Sequence, residues 1–143
     1  MNQTWDLSVL YKDFDDPAYA ADMAALDARA KLGPDKLIGV SAHTVEEALL
    51  AEKQGADYLG VGAVFPTSSK SDVGEMSYET LKAICKAVSI PVVAIGGISQ
   101  ENVAKLAGSG ICGVAVISAI YAAKDVKAAA ADLKATVKEM LRA

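Results

Sequence analysis

The sequence predicts an α/β fold. Residues 36–143 read as four βα units, half of a (β/α) barrel, and residues 1–35 as an N-terminal arm and helix. Three observations lead there. The runs KLIGVS, DYLGV, PVVAI and GVAVI are almost continuously apolar, not alternating, which marks parallel strands covered on both faces. Stretches with apolar residues at helical spacing separate these runs, and that alternation builds βα units joined by right-handed crossovers. Finally, the chain has 143 residues, whereas a complete eight-fold barrel takes about 200–250. A flavodoxin-like open sheet made from the same units is the alternative arrangement.

Residues Thr4–Asp16 are rich in aspartate and aromatic side chains and show no strand alternation, so they read as an irregular arm. Trp5, Leu7, Leu10 and Tyr11 are expected to cover apolar surface. Asp16-Pro17 then offers an N-cap with proline at the first helical position. Tyr19, Met23, Leu26 and Ala30 form one face of that helix, which Gly33-Pro34 ends.

The first strand is expected at Lys36–Ser41. Thr44 and Glu47 have the spacing of a capping box. The helix they open carries Val45, Ala48, Leu49 and Ala51 on its apolar side and stops at Gly55. A second strand at Asp57–Val61 leads into the polar loop PTSSKSDVGEM, after which Ser77 caps a helix with Leu81, Ile84, Cys85 and Val88 on one face. The third strand, Pro91–Ile95, ends in Gly96-Gly97, and Ser99 is expected to cap a helix holding Val103 and Leu106 before Gly108 and Gly110. The fourth strand, Gly113–Ile117, meets Ser118. A final helix runs from about Asp125 to Leu141, with Val126, Leu133, Val137 and Met140 at helical spacing.

Composition narrows the classes of function. With 52% hydrophobic and 22% charged residues, the chain has the make-up of an ordinary globular protein. A net charge of -4 argues against nucleic acid as a partner. No run is long and apolar enough to span a bilayer, and the N-terminus lacks the pattern of a signal peptide, so the expected address is the cytoplasm. Cys85 and Cys112 have neither metal-ligand nor disulfide-framework spacing and read as two buried thiols of a reducing compartment.

In parallel α/β architectures ligands collect at the carboxyl ends of the strands. The first such loop holds Ser41, able to hydrogen-bond a ligand, and His43, the chain's one histidine. A helix-start histidine bonded to backbone is the simpler reading of His43, and a catalytic one the sharper. The second loop sets Thr67, Ser68, Ser69 and Lys70 side by side, three hydroxyls and an ammonium suited to phosphate oxygens. At the third, Gly96-Gly97 permits close backbone approach ahead of a helix start. At the fourth, Ile117-Ser118 opens a short helical turn, matching the way barrels bind phosphate between adjacent late loops.

These residues carry a family resemblance. GVSAHTVEEALLAEKQGADYLGVGAVFPTSSK, PVVAIGGI and GVAVISAI together resemble the thiamine phosphate synthase family, continuously from about Leu32 to the C-terminus. The resemblance implies a (β/α)₈ barrel that joins hydroxymethylpyrimidine pyrophosphate to thiazole phosphate, with Mg2+ assisting departure of pyrophosphate. It implies that Ser41 lies near the pyrimidine and that Thr67, Ser69 and Lys70 form the T-x-[TS]-K pyrophosphate loop. Gly97 would give a backbone amide to the thiazole phosphate, with Ile117 and Ser118 completing that cradle. Lys70 and Ser41 would then be the catalytic side chains, Lys70 stabilising charge on the leaving group.

The family's Q-x-R-x-K, N-D and H-x-G-Q-x-D motifs, which carry its magnesium aspartates, are absent. In their place TWDLSVLYKDFDDPAYAADMAAL resembles the opening of an M3-family oligoendopeptidase, though no HExxH zinc motif follows. Asp13, Asp15 and Asp16 read as a solvated acidic loop, so no metal ligand is assigned. Two further readings stand beside the transferase: a non-catalytic phosphate-binding half-barrel, and a thiazole tautomerase using His43 as a proton shuttle. Four units leave an apolar barrel face and two strand edges unpaired, which predicts a homodimer or higher assembly. The expected partners are phosphorylated small molecules, with no nucleic acid and no membrane.

Overall fold

A computed structural model of the chain describes residue 28 and residues 30–66 and 76–142. The expected arm and helix of residues 1–35 fall almost wholly outside these residues; residues 30–32 are helical and a turn follows at 34–35. The stretch resembling a peptidase, with Asp13, Asp15 and Asp16, also lies outside.

Four parallel strands form one sheet in strict chain order: β1 (Gly39–Ala42), β2 (Tyr58–Val61), β3 (Val92–Ile95) and β4 (Gly113–Ala115). Each expected strand is present, trimmed by one to three residues at an end, and β1 also gains Ala42. In β4 the ladder stops at Ala115, before Ile117. Chain-order pairing settles the choice between arrangements. A doubly wound sheet reverses its strand order at a switch point, and here no reversal occurs. Right-handed crossovers in a constant direction put every helix on the same side, and the result is an arc of a (β/α) barrel.

The helices form where their caps dictate. α1 (Val45–Lys53) begins at Thr44, whose Oγ1 accepts the Glu47 N–H at 3.1 Å. α2 (Tyr78–Ala87) begins at Ser77, whose Oγ accepts the Thr80 N–H at 3.1 Å. After the brief helix α3 (Ser118–Tyr121), α4 (Val126–Met140) starts at Asp125, whose carboxylate accepts the Ala128 N–H at 2.9 Å. One expectation is corrected. The third crossover is a single 3₁₀ turn, Val103–Leu106, and Ser99 does not cap it. Asn102 intervenes, its Oδ1 accepting the Ser99 N–H at 2.8 Å, and Gly108 and Gly110 leave too little chain for further turns.

Burial alternates along the strands. Ala42, Leu59, Val61, Val92 and Ala94 are buried against Ala48 and Ala51 of α1, Leu81 and Ile84 of α2, Val103 and Leu106, and Leu133 and Met140 of α4. Small side chains on both α1 and the sheet let helix and strands approach closely. Leu49 and Val126, expected on packed faces, are 45% and 43% exposed because they point off these seams.

The opposite face is the apolar barrel face that four units are expected to leave unpaired. Tyr58 is 40% exposed and Ile95 42%, on the side turned away from the helices. In a closed barrel facing strands would fill that side; among the described residues nothing does. The cysteines are corrected too. Cys85 is only half-buried and Cys112, at the entrance to the edge strand β4, is exposed. Partial burial, and secondarily the nearby Cys112, push the Cys85 thiol up to about 11, so it stays protonated at neutral pH.

A tie on the far side of the layer joins two crossovers. The Glu52 carboxylate, in the last turn of α1, accepts Ser89 N–H at 2.8 Å, Ser89 Oγ–H at 2.5 Å and Ile90 N–H at 3.2 Å. The Ser89 bonds hold this carboxyl below its ordinary value of 4.5. A depressed folded-state value gives stability that is present above pH 4.5 and lost as pH falls through the lower, folded value. Glu52→Gln should therefore lower the urea midpoint at neutral pH and flatten the loss of stability on acidification, as read by circular dichroism. Leu59, fully buried in the central strand, carries far more: Leu59→Ala should cost about 2–5 kcal/mol in urea unfolding.

Candidate functional site

The site lies where the carboxyl ends of the strands converge on the open face. A cleft of about 170 Å³ is lined by Ser41 of β1 and His43 just after it, Gly62 and Ala63 after β2, Ile95 at the end of β3 with Gly96–Ile98 after it, and Val116–Ser118 after β4. Gly60 and Ala115 form its floor.

Backbone bonds weld the loops after β2 and β3. Val64 N–H donates to Ile95 O at 3.1 Å and Phe65 N–H to Gly96 O at 3.2 Å, extending the ladder beyond the sheet. The approach is so close that a Cβ on Gly62 would stand 1.9 Å from the Ile95 carbonyl oxygen. Gly97, at φ +62°, is held for the same reason: its Cβ would fall 2.3 Å from Pro66 O. Asn102 clamps this turn from below, its Nδ2 donating to Gly97 O at 2.8 Å while its Oδ1 takes the Ser99 N–H. The helix dipole expected to aim at Gly96-Gly97 is reduced to that of one 3₁₀ turn, so backbone geometry is what this loop offers.

The loop after β2 departs at Pro66 and returns at Met76, whose N–H donates to Ala63 O at 2.8 Å. Its two stems thus stand at the rim of the cleft. Thr67, Ser69 and Lys70 fall between them, outside the described residues. Of the other expected site residues, Ser41, Gly97, Ile117 and Ser118 come together around one cleft from three different strands. Ser41 and Ser118 are exposed, and Ile117 is 66% exposed at the mouth.

His43 lines the cleft and is paired with a carboxylate that stands outside the lining. Its Nδ1 is 3.2 Å from Glu47 Oε2, and its backbone N–H donates to the same oxygen at 2.6 Å. Glu47 was expected to complete a capping box at Thr44; it reaches one residue further back instead. The described lining holds no carboxylate and no lysine or arginine, so His43 is its only ionisable side chain. Magnesium finds no fit among these residues: no group of three or more acidic, histidine or cysteine side chains is placed to hold a metal. No described helix is long and apolar enough to cross a membrane.

Asn102 and the Gly62–Ala63 stem are site-building residues that motif reading passed over. Asn102 sits five positions from the glycine it clamps, and nothing in its local pattern marks it. Gly62 carried a signal in retrospect, a glycine directly at a strand's carboxyl end.

The profile of the family described as thiamine monophosphate synthase matches residues 19–120. The thiamine-phosphate synthase of Clostridium tetani is 55% identical over 112 residues, covering 78% of this chain and 54% of that protein. The Pyrococcus abyssi thiamine-phosphate synthase is 49% identical over 116 residues, 81% of this chain and 56% of its own length. Among solved structures, thiamine phosphate pyrophosphorylase from Pyrococcus furiosus superposes with a TM-score of 0.73 at 45% identity, covering 81% of this chain and 55% of that one. The chain therefore spans about half the length of the curated relatives it matches. With a family profile covering most of the chain and a barrel arc that matches in three dimensions, this protein belongs to the thiamine monophosphate synthase family.

Proposed function

We propose that this chain carries the phosphate-binding half of a thiamine phosphate synthase-type transferase, which joins hydroxymethylpyrimidine pyrophosphate to thiazole phosphate. The observation that supports it is the single cleft shared by Ser41, Gly97, Ile117 and Ser118, with both stems of the Thr67–Lys70 loop at its rim. In this reading Gly97, Ile117 and Ser118 cradle the thiazole phosphate through backbone amides and a hydroxyl. Ser41 holds the pyrimidine. Thr67, Ser69 and Lys70 bind the pyrophosphate, Lys70 balancing the charge that develops as the bond to the leaving group breaks. In the same reading residues 1–35 are an N-terminal arm and helix, and the protein works in the cytoplasm.

Full turnover needs a source of magnesium ligands beyond the described cleft, so a phosphate-binding half-barrel without catalysis is the second reading. The absence of any metal-holding cluster among the described residues favours it. An assay separates the two. Purified protein is incubated with both phosphorylated substrates and magnesium, and thiamine phosphate is followed. Turnover that disappears in Lys70→Ala supports the transferase. Absence of turnover, with inorganic pyrophosphate still raising the melting temperature, supports the binding half-barrel; stabilisation of about 2.7 kcal/mol is expected at a hundredfold excess over Kd.

The open sheet face supports self-association as well. Tyr58 and Ile95 leave apolar side chains exposed on that face, and β1 and β4 are the edges of the sheet. A second copy packed on that face would bury it and complete the ring of strands. Sedimentation velocity at micromolar concentration should show a dimer or larger species; a compact monomer would refute the assembly.

A further inference from the structure

The geometry points to His43, oriented by Glu47, as a ligand-binding residue whose protonation sets the affinity of the cleft for anions. This goes beyond the role assigned to the phosphate loops but rests on the cleft being an anion site. Glu47 Oε2 accepts from the His43 backbone N–H at 2.6 Å and lies 3.2 Å from Nδ1. A carboxylate can only accept, so this contact places the Nδ1 proton towards Glu47 and leaves Nε2 as the nitrogen available to a ligand. The neutral ring offers Nε2 as an acceptor, which repels an anion's oxygens. The protonated ring offers an N–H and a positive charge, making a charge-assisted bond.

The surroundings give this proton its weight. Across the described lining, the ends of β2, β3 and β4 contribute glycine, alanine, isoleucine, valine and serine, none of them ionisable. On its own element His43 is accompanied by Glu47 and by Glu46, the other acidic residue of the first turn of α1. Anion binding by the described lining is then coupled to uptake of a proton at one ring. Glu47 acts through that ring, fixing its orientation, and is a positioning residue.

Sulfate is the suitable probe, because its charge is constant over the interval in which imidazoles titrate. Binding is measured by calorimetry on the full chain from about pH 5.5 to 8. The wild-type affinity should fall on the order of tenfold across that interval. His43→Gln should bind sulfate with the weaker affinity throughout and lose the pH dependence. Glu47→Gln, which retains an acceptor for the His43 N–H, should keep the pH dependence. Both side chains are 51% exposed, so the variants should fold, as unchanged melting curves would show. If sulfate binds and His43→Gln follows the wild-type profile, the assignment to His43 is overturned while the anion cleft stands. If sulfate binds the wild type at no pH tested, the anion cleft fails and the inference fails with it.

Discussion

The parallel pairing of four strands in chain order governs everything else in this molecule. Each crossover returns the chain to the next strand from the same side, so β1 through β4 can only build outward in one direction. Helices accumulate on one face and loops at one rim. The register aligns Ala42, Val61, Ala94 and Val114 in one row and Val40, Leu59 and Val92 in another, all turned towards the helices. The dry layer of Leu59, Val61, Leu81, Ile84 and Val103 follows from that alignment, since each strand presents the same parity to the same side.

That pairing also locates the cleft. Because the strands are parallel, their carboxyl ends lie at one edge, and the loops they feed are neighbours in space in the order of the chain. The tightness of the site comes from glycine. Gly62 and Gly97 let the loops after β2 and β3 touch backbone to backbone, and Asn102 holds the second of them from beneath. A side chain at either glycine would separate the loops and widen the cleft.

The uncovered face follows from the same geometry. An arc of four strands turns its inner side towards where further strands would stand in a closed barrel, and nothing among the described residues covers its apolar side chains. This agrees with a chain that spans about half the length of its relatives from Clostridium tetani and Pyrococcus abyssi. Burial in the helix-facing layer sustains the arc, whereas the inner face offers surface for association.

Much of this was legible in the sequence because it rests on local rules. Thr44, Ser77 and Asp125 start their helices as capping chemistry requires, and the four apolar runs are the four strands. Ser41, Gly97, Ile117 and Ser118 could be named as a group because parallel topology sends every βα loop to one edge. The third crossover was misjudged: the apolar spacing of Val103 and Leu106 suits a helix, but two nearby glycines and the Asn102 clamp confine it to one 3₁₀ turn. The open inner face was legible as well, because four units cannot supply the strands that would cover it. By itself the sequence determined the elements, their order and the residues at the rim, all consequences of spacing and caps along the chain. Tertiary structure alone decided that Glu47 would turn to His43 and that the glycines would bring two loops into contact. Those outcomes depend on distances between segments that spacing along one segment does not encode.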